Sequence, residues 1–210
     1  MSKETWKPDV FETLFQKSHD PWDFENSLYE QKKLARILEC LPACPVSFAL
    51  ELGCAIGVST LALAQYCKRV VSVDASETAL HTARKRCEGL GHVTFIKAFL
   101  PEDYPVLAAS GCDLVLISEI LYFLSASDIQ RLAVRVTQSL TEAGCILIVN
   151  WTGPTDTPCT GDEASECFIQ ACRDLQWEPD LSVRESSYRI DRLSYVPNSQ
   201  EGESEPDAES

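Results

Sequence analysis

Three groups of residues in this chain have the types and spacing to do chemistry. The first is Glu51-Leu52-Gly53-Cys54-Ala55-Ile56-Gly57, where small residues at 53, 55 and 57 would let a ligand approach the backbone closely. The second is Asp74, seventeen positions after Gly57 at the end of the next apolar run. A carboxylate there can accept hydrogen bonds from both hydroxyls of a ribose. The third is Ser118-Glu119-Ile120-Leu121-Tyr122. Glu119 closes a buried run and is the candidate to accept a proton or orient a reacting group, and Tyr122 offers a hydroxyl at the rim. Each group also has a bland reading. A glycine turn serves any tight strand-to-helix connection. Asp74 could be a turn residue ahead of Ser76, and Glu119 could bond a backbone amide or another side chain and only organise its turn. A dinucleotide fingerprint would need its last small residue at position 58, where Val58 stands, which counts against a nicotinamide-dependent oxidoreductase.

The elements that must position these groups follow from periodicity. Residues 48–52 (FALEL), 70–73 (VVSV), 93–96 (VTFI), 114–117 (LVLI) and 146–150 (ILIVN) are short and apolar, as buried parallel strands are. Helical spacing fills 58–67, 76–88 and 125–140 between them, with Ser76 as an N-cap. Ser125 and Asp128 resemble a capping box with the shorter acid, and Gly144 is expected as a stop signal. Strict alternation implies an open α/β sheet with right-handed crossovers, whose ligands bind beyond the carboxyl ends of the strands. After the fifth strand, residues 152–160 (TGPTDTPCT) read as a loop. A Thr160/Glu163 capping box then opens a helix to about Cys172, and strands near 181–184 and 188–195 close the sheet as an antiparallel pair. A helix spans about 27–41, and Pro21 is expected to mark an earlier helical turn.

The chain has 210 residues, 45% hydrophobic and 24% charged, enough to fill one core. Eighteen basic against 32 acidic residues leave a net charge of −14, five of the acids lying in the Ser/Pro-rich tail 197–210, which is expected to be disordered. An acidic body without a cationic cluster argues against a nucleic-acid substrate. Met1–Lys7 has no apolar run behind it, and the most apolar stretch, 46–64, is broken by Glu51 and two glycines. We therefore expect no secretory signal, no membrane span and a cytoplasmic protein. Ten scattered cysteines without a C-x-x-C pair, and only three histidines, make reduced thiols the expectation and structural zinc not.

With E-x-G-x-A-x-G after the first strand and Asp74 after the second, the chain resembles the class I S-adenosylmethionine-dependent methyltransferases. More specifically, DPWDF (20–24), SLYEQKK (27–33), ELGCAIG (51–57), SEILYFL (118–124) and WTGPTDTPCTGDEA (151–164) resemble the nodulation protein S group of N-methyltransferases. The likeness runs from about Phe11 to Tyr195. It implies a Rossmann-like, seven-stranded, mostly parallel sheet in the order 3-2-1-4-5-7-6, flanked by helices. Residues 1–45 would form a helical lid, and 46–196 the cofactor-binding domain. The cofactor would be S-adenosylmethionine, leaving as S-adenosylhomocysteine, with no metal. Its ribose would lie on Asp74 and its methionine part near Glu51, Gly53 and Ser118, across the loop that holds Cys54, Ala55 and Gly57. Many class I enzymes carry an Asp after strand three that binds the adenine. Here Lys97-Ala98-Phe99-Leu100 holds no acid, so adenine would depend on backbone groups and the walls of Ala75, Phe99 and Leu100.

The acceptor that this resemblance implies is the free amine of a deacetylated amino sugar at the end of a chito-oligosaccharide, a small molecule. Trp22 and Tyr29 in the lid, with Trp151 and Asp156 after strand five, are the acceptor-side candidates; Asp162 reads better as serving the first turn of its helix. The end of strand four lacks the Asn/Asp-Pro-Pro-Tyr pattern that grips planar nitrogens, which disfavours methylation of adenine or of a glutamine side chain. O-methylation, a protein or RNA acceptor, and a non-catalytic cofactor-binding module remain the alternatives.

Overall fold

Seven strands form one sheet in the order β3-β2-β1-β4-β5-β7-β6. The structure is a computed structural model that describes residues 4–197. The strands are β1 (Val46–Leu52), β2 (Cys67–Asp74), β3 (Val93–Lys97), β4 (Cys112–Ser118), β5 (Leu140–Trp151), β6 (Trp177–Arg184) and β7 (Tyr188–Tyr195). The first five pair in parallel, and β7 runs antiparallel to both β5 and β6. This is the expected order. The acidic tail expected to be disordered lies outside the described residues after Pro197.

Both faces of the sheet are covered, which is why its strands read as continuous apolar runs and not as alternating ones. On β4, Val115 and Ile117 point into one core cluster, with Leu132 and Phe168, while Leu114 and Leu116 point into another, with Ile37 and Leu63. The helices supplying those residues are α2 (Leu28–Glu39), α3 (Val58–Leu63), α6 (Ala126–Ser139) and α7 (Gly161–Arg173). Phe168 is fully buried, and burial of such a ring contributes about 2 kcal/mol. Among the described residues no helix is long and apolar enough to cross a membrane.

Helix starts follow their caps. Ser27, Ser76, Ser125 and Thr160 each accept a hydrogen bond from the backbone N–H three residues on, opening α2, α4 (Glu77–Arg86), α6 and α7. The Thr160/Glu163 capping box is complete. At α6 the expected box is not: the N–H of Ser125 donates to the hydroxyl of Thr5 at 2.8 Å, and that hydroxyl donates to Asp128. Aspartate is one methylene short of closing the box, and a residue from far upstream bridges the gap.

Three further expectations need correction. The helix expected over 58–67 ends at Leu63, because Gln65 and Tyr66 turn back onto Ala62 and Leu63 and Cys67 already opens β2. Gly144 does not stop α6, which passes directly into β5. It sits inside that strand beside the register shift on β4, where a Cβ would meet the Asp113 carbonyl at 3.0 Å. Pro21 lies in a turn; the early helix α1 (Pro8–Lys17) opens on Pro8 instead.

The segment before the sheet is tied across its carboxyl end. Glu12 on α1 accepts from the hydroxyls of Ser76 and Thr78 and from the Thr78 N–H at the start of α4. Those hydrogen bonds, Thr78's foremost, hold its carboxyl down at about 2. Arg86 at the end of α4 donates to the Ile56 carbonyl at 2.8 Å and pairs with Glu25. Trp6 packs on Phe123 with ring centroids 4.9 Å apart.

Candidate functional site

The loop after β1 is built by close approaches. The N–H groups of Gly53 and Cys54 both donate to the Val73 carbonyl, at 2.8 and 3.0 Å, and the Ala55 N–H donates to Asp74 Oδ2 at 2.9 Å. Gly53, Ala55 and Gly57 all have positive φ, +85°, +47° and +81°. A Cβ on Gly53 would lie 2.3 Å from Ile120 Cγ2, and one on Gly57 would lie 2.9 Å from the Cα of Ala83 on α4. The small residues are therefore required by the turn and by packing against the β4 end and α4. Gly57 does not line the main cavity; its positive φ and its approach to Ala83 require a glycine there.

Asp74 ends β2 at the cavity wall. Burial pushes its carboxyl up to about 6, against the pull of the backbone N–H groups of Ser76, Ala55 and Ala75. Glu51 lies deeper: Ser59 and Thr60 on α3 and Ser72 on β2 all donate to its carboxylate. It is fully buried and absent from the cavity lining, bracing the loop from behind. Burial, with Asp74 and Glu51 nearby, raises the thiol of Cys54 far above its usual range, which leaves it an inert small side chain.

The cavity in front of this loop holds about 630 Å³, within the size range of small-molecule sites. By chemistry its lining divides into a loop wall of Gly53, Cys54, Ala55, Asp74 and Ser118 and a charged and aromatic wall that includes Trp22, Tyr29, Glu119, Tyr122, Trp151 and Asp156. A smaller hollow of about 70 Å³ shares Gly53 and Asp74 with it and is walled by Ala75, Phe99 and Leu100. The structure thus brings together every sequence-derived candidate except Glu51 and Gly57 around two adjoining spaces.

Glu119, at φ +59°, is more heavily engaged than its sequence suggests. Lys33 Nζ donates to its Oε1 at 2.7 Å, and the Tyr122 hydroxyl and the Trp151 N–H donate to its Oε2 at 2.9 and 2.8 Å. Burial and the Glu119 charge hold the Tyr122 hydroxyl far above its usual range, so it stays neutral and donates. Lys33 also bonds Glu30, one turn earlier on α2, at 3.0 Å. Burial by itself would lower the Lys33 pKa, but the two carboxylates outweigh it and raise the value. Burial raises Glu30, against the opposing pull of Lys33.

Aromatic groups frame that ion trio. Tyr29 meets Trp151 edge-on with centroids 6.0 Å apart and accepts from the Ser187 hydroxyl. Trp22, 40% exposed, packs on Phe15 and Phe24 at the cavity mouth, and Asp156 is exposed on the rim. Asp162 faces elsewhere: it sits in the first turn of α7 and pairs with Arg184 and Arg189. Glu30 and Lys33 lie within the SLYEQKK motif (27–33) but were not singled out as site residues. One signal was available: Lys33 falls four residues before Ile37 on the buried face of α2, where a lysine must find a carboxylate. Among the described residues no group of His, Cys, Asp and Glu has the arrangement to hold a metal ion.

Comparison with known proteins adds three findings. The family model described as Nodulation protein S (NodS) matches residues 9–160. The curated Nodulation protein S of Sinorhizobium fredii (strain NBRC 101917 / NGR234) is 32% identical over 118 residues, 56% of this chain and 53% of that protein. The chain spans about half the length of the curated relatives it matches. Among solved structures, the N-methyltransferase NodS from Bradyrhizobium japonicum WM9 in complex with S-adenosyl-L-homocysteine is similar at a TM-score of 0.75 and 20% identity, covering 90% of this chain and 98% of that one. A putative methyltransferase from Pseudomonas syringae is similar at 0.68 and 28% identity, covering 80% of this chain and 99% of that one.

Proposed function

The chain belongs to the nodulation protein S family, and from that premise we propose that it is an S-adenosylmethionine-dependent methyltransferase that N-methylates an amine of a small molecule, such as a deacetylated amino sugar of a chito-oligosaccharide. One observation carries the reading: the Gly53–Ala55 loop and Asp74 line both an apolar hollow with Ala75, Phe99 and Leu100 and an adjoining cavity whose other wall is charged and aromatic. The first wall fits a nucleoside and the second a polar acceptor. When bound, the cofactor supplies a methyl group already activated on a sulfonium sulfur, so the protein's task is to position, dry and deprotonate.

Each residue then has a part. Asp74, with lone-pair capacity beyond that used by its backbone donors, takes the ribose hydroxyls. The backbone of Gly53, Cys54 and Ala55, together with Ser118, receives the methionine part, while Glu51 stiffens the loop from behind through its three hydroxyl donors. Trp22, Tyr29, Trp151 and Asp156 contact the acceptor, an aromatic face and a carboxylate being suited to a sugar. Residues 1–45 serve as the lid; α1 supports this through its ties to α4 and its place at the cavity mouth. The ten cysteines, all free thiols, suit a reducing compartment such as the cytoplasm.

Calorimetric titration of the purified chain with S-adenosylhomocysteine, with NAD as a parallel control, tests this. Binding of the first without the second is expected. Binding of NAD alone, or of neither, would overturn the cofactor assignment.

A further inference from the structure

Two carboxylates share one ammonium on the acceptor wall, and their remaining capacities differ. Glu119 spends both oxygens on three donors, from Lys33, Tyr122 and the Trp151 backbone. Among the described residues, the Glu30 carboxylate is held only by Lys33 Nζ, at 3.0 Å from Oε1 and 2.9 Å from Oε2. The side chains of Lys33, Glu30 and Glu119 are 6%, 14% and 14% exposed, so this trio carries one uncompensated negative charge where water screens it weakly. Asp20 adds a further carboxylate close enough to raise Glu30, and its Oδ1 is shut off from solvent without a hydrogen-bond partner. The other titratable groups facing the trio are Tyr29 on α2 and Tyr122 after β4, both held neutral. A wall short of one positive charge and one donor fits a protonated amine.

We propose that Glu30, not Glu119, takes the proton from the acceptor amine, and that Lys33 is the positioning residue that aims it. The inference rests on the methyltransferase reading and adds the acceptor's charge state to it. An ammonium enters beside Glu30; its N–H bond breaks, an O–H bond forms on the carboxylate, and the nitrogen keeps the electron pair as a neutral amine. Only that neutral form has a lone pair to offer a methyl group. The raised affinity of Glu30 for protons narrows its gap to the amine, as a base for this transfer requires. Glu119 meanwhile keeps Lys33, Tyr122 and the Trp151 backbone in register, with three of its roughly four lone-pair sites occupied.

The test compares binding of glucosamine and glucose, which differ by an amine in place of a hydroxyl, by calorimetry on the full chain with and without S-adenosylhomocysteine. Wild type should prefer glucosamine by about tenfold, the scale of one charge-assisted contact. Glu30→Gln should lose that preference, Glu30→Asp should keep it, and both should retain affinity for S-adenosylhomocysteine. Transfer to a glucosamine tetramer should fall about 100-fold in Glu30→Gln. Lys33→Met should move the acid limb of its pH profile upward, since removing a cation raises Glu30, and Lys33→Arg should restore it. No amine preference in wild type, or an undiminished one in Glu30→Gln, would overturn the proposal. Failure of wild type to bind S-adenosylhomocysteine would instead strike the methyltransferase reading, and the sugar comparison without that ligand still decides the role of Glu30.

Discussion

The two walls of the cavity are built on different length scales of the chain. On the nucleoside side, the key contact links Ala55 to Asp74, 19 residues apart, through the rest of the loop, one short helix and one strand. On the acceptor side, Lys33 reaches Glu119 across 86 residues, and Glu119 reaches the Trp151 N–H across 32. The Gly53–Asp74 part of the first wall is a single supersecondary unit, whose geometry follows from a loop of fixed length. The second exists only once α2, the β4 end and the β5 end have been brought together by the sheet. Its coherence therefore depends on charge pairing, whereas the first depends on backbone conformation.

That difference can be broken from either side. The largest effect is expected at Lys33→Met, which strands Glu30 and Glu119 as uncompensated buried charges. Denaturant unfolding should register a loss of about 3–5 kcal/mol, while affinity for S-adenosylhomocysteine, on the other wall, should change little. Gly53→Val attacks the nucleoside wall through its backbone: a side chain at φ +85° whose Cβ meets Ile120 at 2.3 Å should cost about 3 kcal/mol in the same measurement. Unlike Lys33→Met, it should also weaken the ligand. If the two variants had the same profile, the walls would be one cooperative unit.

Asp74→Asn sharpens the contrast at about 2 kcal/mol, an affinity loss of some 30-fold for S-adenosylhomocysteine by calorimetry. It should also remove a pH dependence. Burial lifts Asp74 to about 6. Between about pH 4 and 6 the native state therefore keeps a proton that the unfolded state has released. Stability from this group falls as pH rises through that window and is level above it. The slope of melting temperature against pH there should flatten in Asp74→Asn. Glu12→Gln should give the smallest effect, about 1 kcal/mol, since it loosens only the tie between α1 and α4. Its sign is opposite: with the Glu12 carboxyl held at about 2, its contribution is full above about pH 4.5 and is lost as pH falls toward 2. Melting curves from pH 2 to 7 distinguish the two.

Legibility of the sequence followed the same division. The caps at Ser76, Ser125 and Thr160 were readable because each depends on an element's own first turn, and the grouping of Gly53, Cys54, Ala55 and Asp74 because it lies within one βαβ unit, whereas the strand order came from the family resemblance. At two places where the reading fell short, a distant residue had intervened. Thr5 completes the α6 cap that Asp128 cannot close, and Ala83 on α4 sets the size limit at Gly57. Glu30 and Lys33 were missed because a helix-surface Glu/Lys pair three residues apart looks like ordinary solvent-facing support. Only the tertiary fold turns that face inward.

By itself the sequence determined the parallel α/β core, the tight turn after the first strand, the acid ending the second and a family likeness that specifies the closing antiparallel pair. These are properties of period, loop length and residue size, which act over one or two elements. Tertiary structure alone decided that Glu119 is committed to three donors, that Glu51 is sealed behind the loop, and that Lys33 sits between two carboxylates. The physical reason is that charge pairing and burial depend on which segments are adjacent in space, and a low-dielectric wall assembled from residues 33, 119 and 151 has no signature at any one place along the chain.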